Sequence, residues 1–173
     1  MLRDFYPYEY VENVFSIDYK KLYENGMRGI IFDVDNTLVA HGLSSTEEVD
    51  RLFLELHAMG YKTLLMSNNC EARLLRFKQN IDTLYIHEAG KPRPDCYWRA
   101  LSMMDLRREE VFVVGDQLFT DILGANRSGL ASILVRYIGR DINEETGWNR
   151  KGEKLILFCY SLQKKYQHRL GLK

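Results

Sequence analysis

The sequence predicts a doubly wound α/β fold: a parallel sheet of about five strands, helices on both faces, and no cap domain. Three observations carry this reading. Short apolar runs alternate with segments of helical periodicity, the signature of strand–helix–strand units. Polar clusters follow the apolar runs, where open α/β sheets place their ligand sites. The 173 residues contain no repeat, low-complexity stretch or flexible linker, which suits one domain with a single core.

The expected domain spans 1–173, with an N-terminal arm over 1–26, a core over about 27–137 and a C-terminal helical extension over about 138–173. The arm carries an aromatic cluster, "FYPYEYVENVF". "GIIFDV" then reads as the first, buried strand. In "SSTEEVDRLFLELHAMG", Ser45 and Glu48 have the spacing of a capping box, Val49, Leu52, Phe53, Leu56 and Met59 recur at helical intervals, and Gly60 is the stop. "YKTLLMS" is the second strand and "EARLLRFKQN" the second helix. "TLYIHEA" supplies the third strand, followed by a helix around "PDCYWRALSMMD". "VFVVGD" is the fourth strand, "FTDILGANRSG" a short helix, and "ASILVRY" the fifth strand. "EKLILFCYSLQKKYQHRL" reads as a final helix with Leu155, Leu162, Tyr166 and Leu170 near one face and Lys164, Lys165 and Arg169 interleaved.

Composition narrows the function classes. Hydrophobic residues make up 46% and charged residues 28%, an ordinary globular balance. The formal net charge is zero, so no global field favours nucleic acid or an anionic membrane. No apolar run approaches the ~20 residues of a membrane span, and "MLRDFYPYEY" lacks the pattern of a signal peptide. The three cysteines, Cys70, Cys96 and Cys159, show neither zinc spacing nor a disulfide framework. Each is expected to be a small buried residue, and a reducing cytoplasm is the expected location, with attachment at a membrane periphery the alternative.

The chemistry lies at the strand ends. Asp33 and Asp35 close the first strand, Ser67 and Asn68 the second, and Asp116 the fourth, while Lys91 follows the third by a few residues. Carboxylates meeting at one rim repel unless a cation offsets them. Oxygen donors without a His/Cys set favour a hard ion, above all Mg²⁺, and a magnesium site with few protein ligands shares its ion with phosphate. Lys91 can oppose the charge of that phosphate, and Ser67 can donate hydrogen bonds to it. These parts suit phosphoryl transfer, which needs positioning and charge stabilisation. One aspartate would attack and the other would shuttle the proton.

"DVDNTL" at 33–38 resembles the first motif of the haloacid dehalogenase superfamily, D-x-D-x-T. "LLMSNN" resembles its second motif, Lys91 in "GKPRPD" the third, and "VVGDQLFTD" the fourth. The chain as a whole is similar to the YqeG-like group of subclass III phosphatases, related to phosphatidylglycerophosphate phosphatases. The resemblance implies Asp33 as nucleophile and magnesium ligand. It implies Asp35 as general acid and then base, with its backbone carbonyl on the metal. Ser67 would bind the phosphoryl group, Asn68 would shape that loop, and Lys91 would hold the phosphate. Asp116 would ligate Mg²⁺, and Asp121 would act on the metal's outer shell or orient Lys91.

Bland readings stand beside these. Asp33 and Asp35 would also suit a turn, Ser67 and Asn68 a helix start, Lys91 a solvated loop, and Asp121 the positive end of its helix. His41 reads as an exposed loop histidine, His57 as structural, Tyr97 and Trp98 as core aromatics. The intervals from Asp35 to Ser67 and from Ser67 to Lys91 are already occupied by helices and leave no room for a cap. An open site suits a large substrate such as a lipid headgroup at a membrane surface, or a lid lent by a second subunit in a homo-oligomer. A phosphatase of soluble sugar phosphates or nucleotides, and a non-catalytic module using Asp33 as phosphoacceptor, are the competing readings.

Overall fold

The structure is a computed structural model, and it describes residues 2–138 and 148–172. The stretch 139–147 of the C-terminal extension lies outside the described residues. Among the described residues six strands form one parallel sheet: β1 (Glu9–Val11), β2 (Gly29–Phe32), β3 (Lys62–Met66), β4 (Leu84–Ile86), β5 (Val111–Gly115) and β6 (Ala131–Val135), in the order β1-β6-β5-β2-β3-β4. The helices are α1 (Tyr19–Glu24), α2 (Glu47–Met59), α3 (Glu71–Phe77), α4 (Pro94–Met104), α5 (Leu123–Arg127) and α6 (Trp148–Ser161).

Residue alternation along the buried strands assigns the two faces. Ile30 and Phe32 of β2 pack with Phe53 and Leu56 of α2 and Leu74 of α3, whereas Ile31 between them packs with Tyr97 and Ala100 of α4. Both faces of the central strands are therefore covered, which is why β2 and β5 are apolar at every position. The chain winds from β2 outward through β3 and β4, then returns to place β5 on the other side of β2. The topological switch point thus lies between β2 and β5, and Asp33 and Asp116 follow those two strands.

Five expectations need correction. The sheet has six strands, because "EYV" in the N-terminal arm pairs with β6 at the sheet edge. Its signal was hidden by Glu9, a carboxylate only 1% exposed that accepts from the backbone N–H groups of Leu170 and Leu172 and meets His168 at 2.9 Å. The cap of α2 is Thr46, whose hydroxyl accepts from Val49 N, one residue beyond the expected Ser45. The last helix ends at Ser161, so Tyr166 and Leu170 leave its face and pack inward, Tyr166 against Tyr6. Trp98 lies exposed on α4 while Tyr97 is in the core, and of the cysteines Cys96 is buried and Cys70 exposed.

Candidate active site

The first cluster forms because β2 stops abruptly. Asp33 N still donates to Val114 O (2.9 Å), but the N–H groups of Thr37, Leu38 and Val39 all turn back onto Val34 O. Asn36 makes the turn at φ 67°, a left-handed conformation that Asn tolerates better than most residues. The turn sends the two aspartates into different surroundings instead of along one strand face.

Asp33 enters a buried ionic cluster. Lys91 Nζ donates to Asp33 Oδ1 (2.6 Å), Asp121 Oδ1 (2.7 Å) and Met66 O (3.0 Å), which uses all three of its protons. The Thr37 hydroxyl lies 3.1 Å from Asp33 Oδ2 and 3.3 Å from Asp116 Oδ1. Asp33, Asp116 and Asp121 each place a carboxylate oxygen within 4.8 Å of the others. Burial pushes the Asp33 carboxyl up to about 6, against the pull of Lys91 and with the push of Asp121. For Lys91 burial works the other way, yet Asp121 and Asp33 outweigh it and hold the ammonium well above its ordinary value. Three carboxylates face one ammonium, an excess of negative charge built from hard oxygen donors. That donor set fits a divalent cation of the Mg²⁺ kind.

Asp35 points elsewhere. Its Oδ1 accepts from Arg73 Nη2 (2.8 Å), Arg73 Nε (3.3 Å) and Gly42 N (2.8 Å), and its Oδ2 accepts from Asn69 Nδ2 (2.8 Å). Burial would raise this carboxyl, but the hydrogen bonds from Arg73 and Gly42 hold it below the usual carboxylate range.

The remaining residues brace the rim. Asn68 receives Lys91 N on Oδ1 (2.8 Å) and donates Nδ2 to Lys91 O (3.2 Å), so it pins the lysine's backbone. Ser67 Oγ accepts from Asn69 N (3.1 Å) at the end of β3. Asp121 arrives on a wide π-turn, Leu118–Ile122, and its Oδ2 accepts from Gln117 N (3.1 Å). The close return is possible because β5 ends in Gly115: a Cβ there would lie 2.4 Å from Asp121 Cβ.

The predicted residues therefore meet. Asp33, Asp35, Ser67, Asn68 and Lys91 line one cavity of about 200 Å³, with His41 and Thr120 at its edge. Asp116 and Asp121 stand behind Asp33. Among the described residues the Asp35 carboxylate is not in the acidic cluster: Arg73 holds its Oδ1 and Asn69 its Oδ2. Three contributors lay outside the assigned set: Thr37, Asn69 and Arg73. The first two sit inside "DVDNTL" and "LLMSNN", but Arg73 had no signal, because an arginine on an amphipathic helix reads as solvated.

The HAD-hydrolase-like family matches residues 88–152. Probable phosphatase YqeG of Bacillus subtilis is 39% identical over 159 residues, covering 91% of this chain and 92% of that protein. Phosphatidylglycerophosphate phosphatase 1 of Arabidopsis thaliana is 27% identical over 152 residues, 78% of this chain and 41% of that protein. Among solved structures, D,D-heptose 1,7-bisphosphate phosphatase from B. bronchiseptica, complexed with magnesium and phosphate, shares the fold at a TM-score of 0.54 and 19% identity, over 75% of this chain and 87% of that one.

Proposed function

This chain belongs to the haloacid dehalogenase superfamily of phosphatases, and we propose that it hydrolyses a lipid phosphomonoester through an aspartyl-phosphate on Asp33, with Mg²⁺ as cofactor. The observation that carries the mechanism is the division between the two aspartates. Asp33 sits against Lys91 inside the ionic cluster, and Asp35 sits in a separate cradle on the same cavity.

In this reading an oxygen of Asp33 attacks phosphorus while the bond to the alcohol oxygen breaks. Asp35 gives its proton to the departing alkoxide. It then takes a proton from the water that attacks phosphorus, and the bond to Asp33 breaks to release inorganic phosphate. Ser67 donates to a phosphoryl oxygen, Lys91 opposes the phosphoryl charge from beside Asp33, and Asn68 holds Lys91 in place. Asp33, Asp116 and the Asp35 carbonyl would hold Mg²⁺, with Asp121 orienting Lys91 from behind. When bound, the ion supplies positive charge to the phosphoryl oxygens and relieves the crowding of carboxylates.

Support for a lipid comes from two directions. A relative named for phosphatidylglycerophosphate matches 78% of this chain. The outer face of α6 also carries exposed leucine and phenylalanine beside lysines, as surface-lying helices do. Among the described residues no helix is long and apolar enough to cross a membrane, so contact would be at the surface.

The test is phosphate release from phosphatidylglycerophosphate vesicles and from a small generic ester, each with Mg²⁺ or EDTA, beside Asp33→Asn. Faster lipid hydrolysis that needs Mg²⁺ and Asp33 is the expected result. Hydrolysis of the small ester alone removes the lipid assignment. No release from either moves the phosphoacceptor reading forward.

A further inference from the structure

Arg73 is a buried cation whose cost is only partly matched by its partners. It lies on α3, 7% exposed, where an apolar side chain would extend the packing of Leu74 and Phe77. Burying a guanidinium is expensive unless its charge and protons are matched. One carboxylate matches the charge, but Nη1 is buried with no hydrogen-bond partner among the described residues. An arrangement optimised for stability alone would not leave it so.

What Arg73 does accomplish is geometric. Nη2 bridges Asp35 Oδ1 (2.8 Å) and Leu43 O (2.7 Å), while Gly42 N reaches the same Oδ1 (2.8 Å). Guanidinium, carboxylate and the 42–43 loop thus form a closed circuit. Asn69 holds the other oxygen at 2.8 Å. With Asp35 gripped at both oxygens, rotation of its carboxylate is blocked. The two oxygens are also unequal: Oδ1 receives three N–H groups and Oδ2 one. A proton has no place on Oδ1.

We propose that Arg73, assisted by Asn69, is the positioning residue that presents Oδ2 of Asp35 to the leaving group. This rests on the reading of Asp35 as the acid. The proton leaves Oδ2 for the alkoxide oxygen as the phosphorus–oxygen bond breaks, and the carboxylate left behind keeps its charge partner in Arg73. In the second half the same oxygen receives a proton from water.

The experiment compares two esters on the full-length, Mg²⁺-loaded protein. p-Nitrophenyl phosphate releases an alcohol that departs without a proton; glycerol phosphate releases one that needs it. Asp35→Asn should lose roughly 10²-fold or more on glycerol phosphate and much less on the aryl ester. Arg73→Met should show the same asymmetry, about tenfold or more between the esters, with inhibition by inorganic phosphate unchanged. Arg73→Lys should recover part of the alkyl rate. Asn69→Ala, a rim change that spares the core, should reproduce the asymmetry at smaller size even where Arg73→Met does not fold. Equal losses on both esters in the Arg73 and Asn69 variants, with Asp35→Asn still asymmetric, overturn the inference alone. A symmetric Asp35→Asn overturns the reading beneath it as well.

Discussion

Asp33 and Asp35 stand one residue apart, yet their surroundings push their carboxyls in opposite directions. Burial lifts Asp33 to about 6, above the ~3.9 of an unfolded aspartate. Between those values the folded protein binds the extra proton, so Asp33 costs stability as pH rises through about 4 to 6. Asp35, depressed by Arg73 and Gly42, contributes in the other sense: its stabilisation is present above the unfolded value and lost on acidification. Removing the charge at Asp33 isolates its share. We expect metal-free Asp33→Asn to be more stable than wild type at pH 7.5, by on the order of 2 kcal/mol, and nearly equal to it at pH 4. Urea unfolding at both pH values measures this, and an equal difference at both would sink the assignment. The same variant should lose at least about 10³-fold in turnover. Because ligation requires the ionised carboxylates, Mg²⁺ should raise the melting temperature of wild type more at pH 7.5 than at pH 5.5. At this scale the sequence was most legible. Asp33, Lys91 and Asp116 could be picked out because they follow strand ends, and Asp121 through the family motif that contains it, whereas Arg73 could not, since an arginine on an amphipathic helix reads as solvated.

At the scale of elements, the site depends on how strands stop. β2 ends in an asparagine turn and β5 ends in Gly115, over which the π-turn brings Asp121 back onto Lys91. Gly115→Ala would drive a methyl into Asp121, at a 2.4 Å approach that neither the buried turn nor the strand can absorb by a side-chain rotation. The expected result is a loss of about 1–3 kcal/mol in stability and a tenfold or greater fall in turnover, read by thermal melting and steady-state kinetics. Normal turnover would show that Asp121 is dispensable to Lys91. The long apolar elements were readable because burial on both faces writes itself as a continuous run. Boundaries were less so. Ser45 and Thr46 offer the same hydroxyl, and only the backbone decides which one caps α2. The true end of α6 depends on Gln167, whose side chain folds back to the carbonyls of Tyr160 and Ser161. Such a long-range cap has no local signature.

The whole molecule turns on where its ends go. β1 and the C-terminal tail are fastened together through Glu9, and Tyr6, Ile156 and Tyr160 form a separate cluster beneath α6. With that inner face satisfied, Leu155, Phe158 and Leu162 remain 66%, 61% and 68% exposed on the outside. Lys154, Lys164 and Lys165 are exposed in the same stretch, and Glu153, the acid among residues 152–172, is turned inward onto Leu118 N. In the proposed lipid reading, this apolar surface with exposed lysines nearby would suit an anionic lipid surface better than a neutral one. On the same helix, Lys154 and Leu157 share a cleft of about 330 Å³ with Asp116. If the substrate is a lipid phosphate, this face should hold the protein on the bilayer that carries it. Phe158→Glu combined with Leu155→Glu should weaken sedimentation with anionic vesicles by roughly tenfold or more, since each apolar group withdrawn from the interface forfeits about 1.5–3 kcal/mol. Hydrolysis of a small soluble ester should stay at the wild-type rate, because neither residue touches the cavity of Asp33 and Asp35. Lys164→Ala with Lys165→Ala should weaken binding at low salt and matter little at high salt, where surface charges are screened. Unchanged sedimentation in both double variants would exclude α6 as the docking face. Loss of small-ester activity in them would instead tie this helix to the fold of the site.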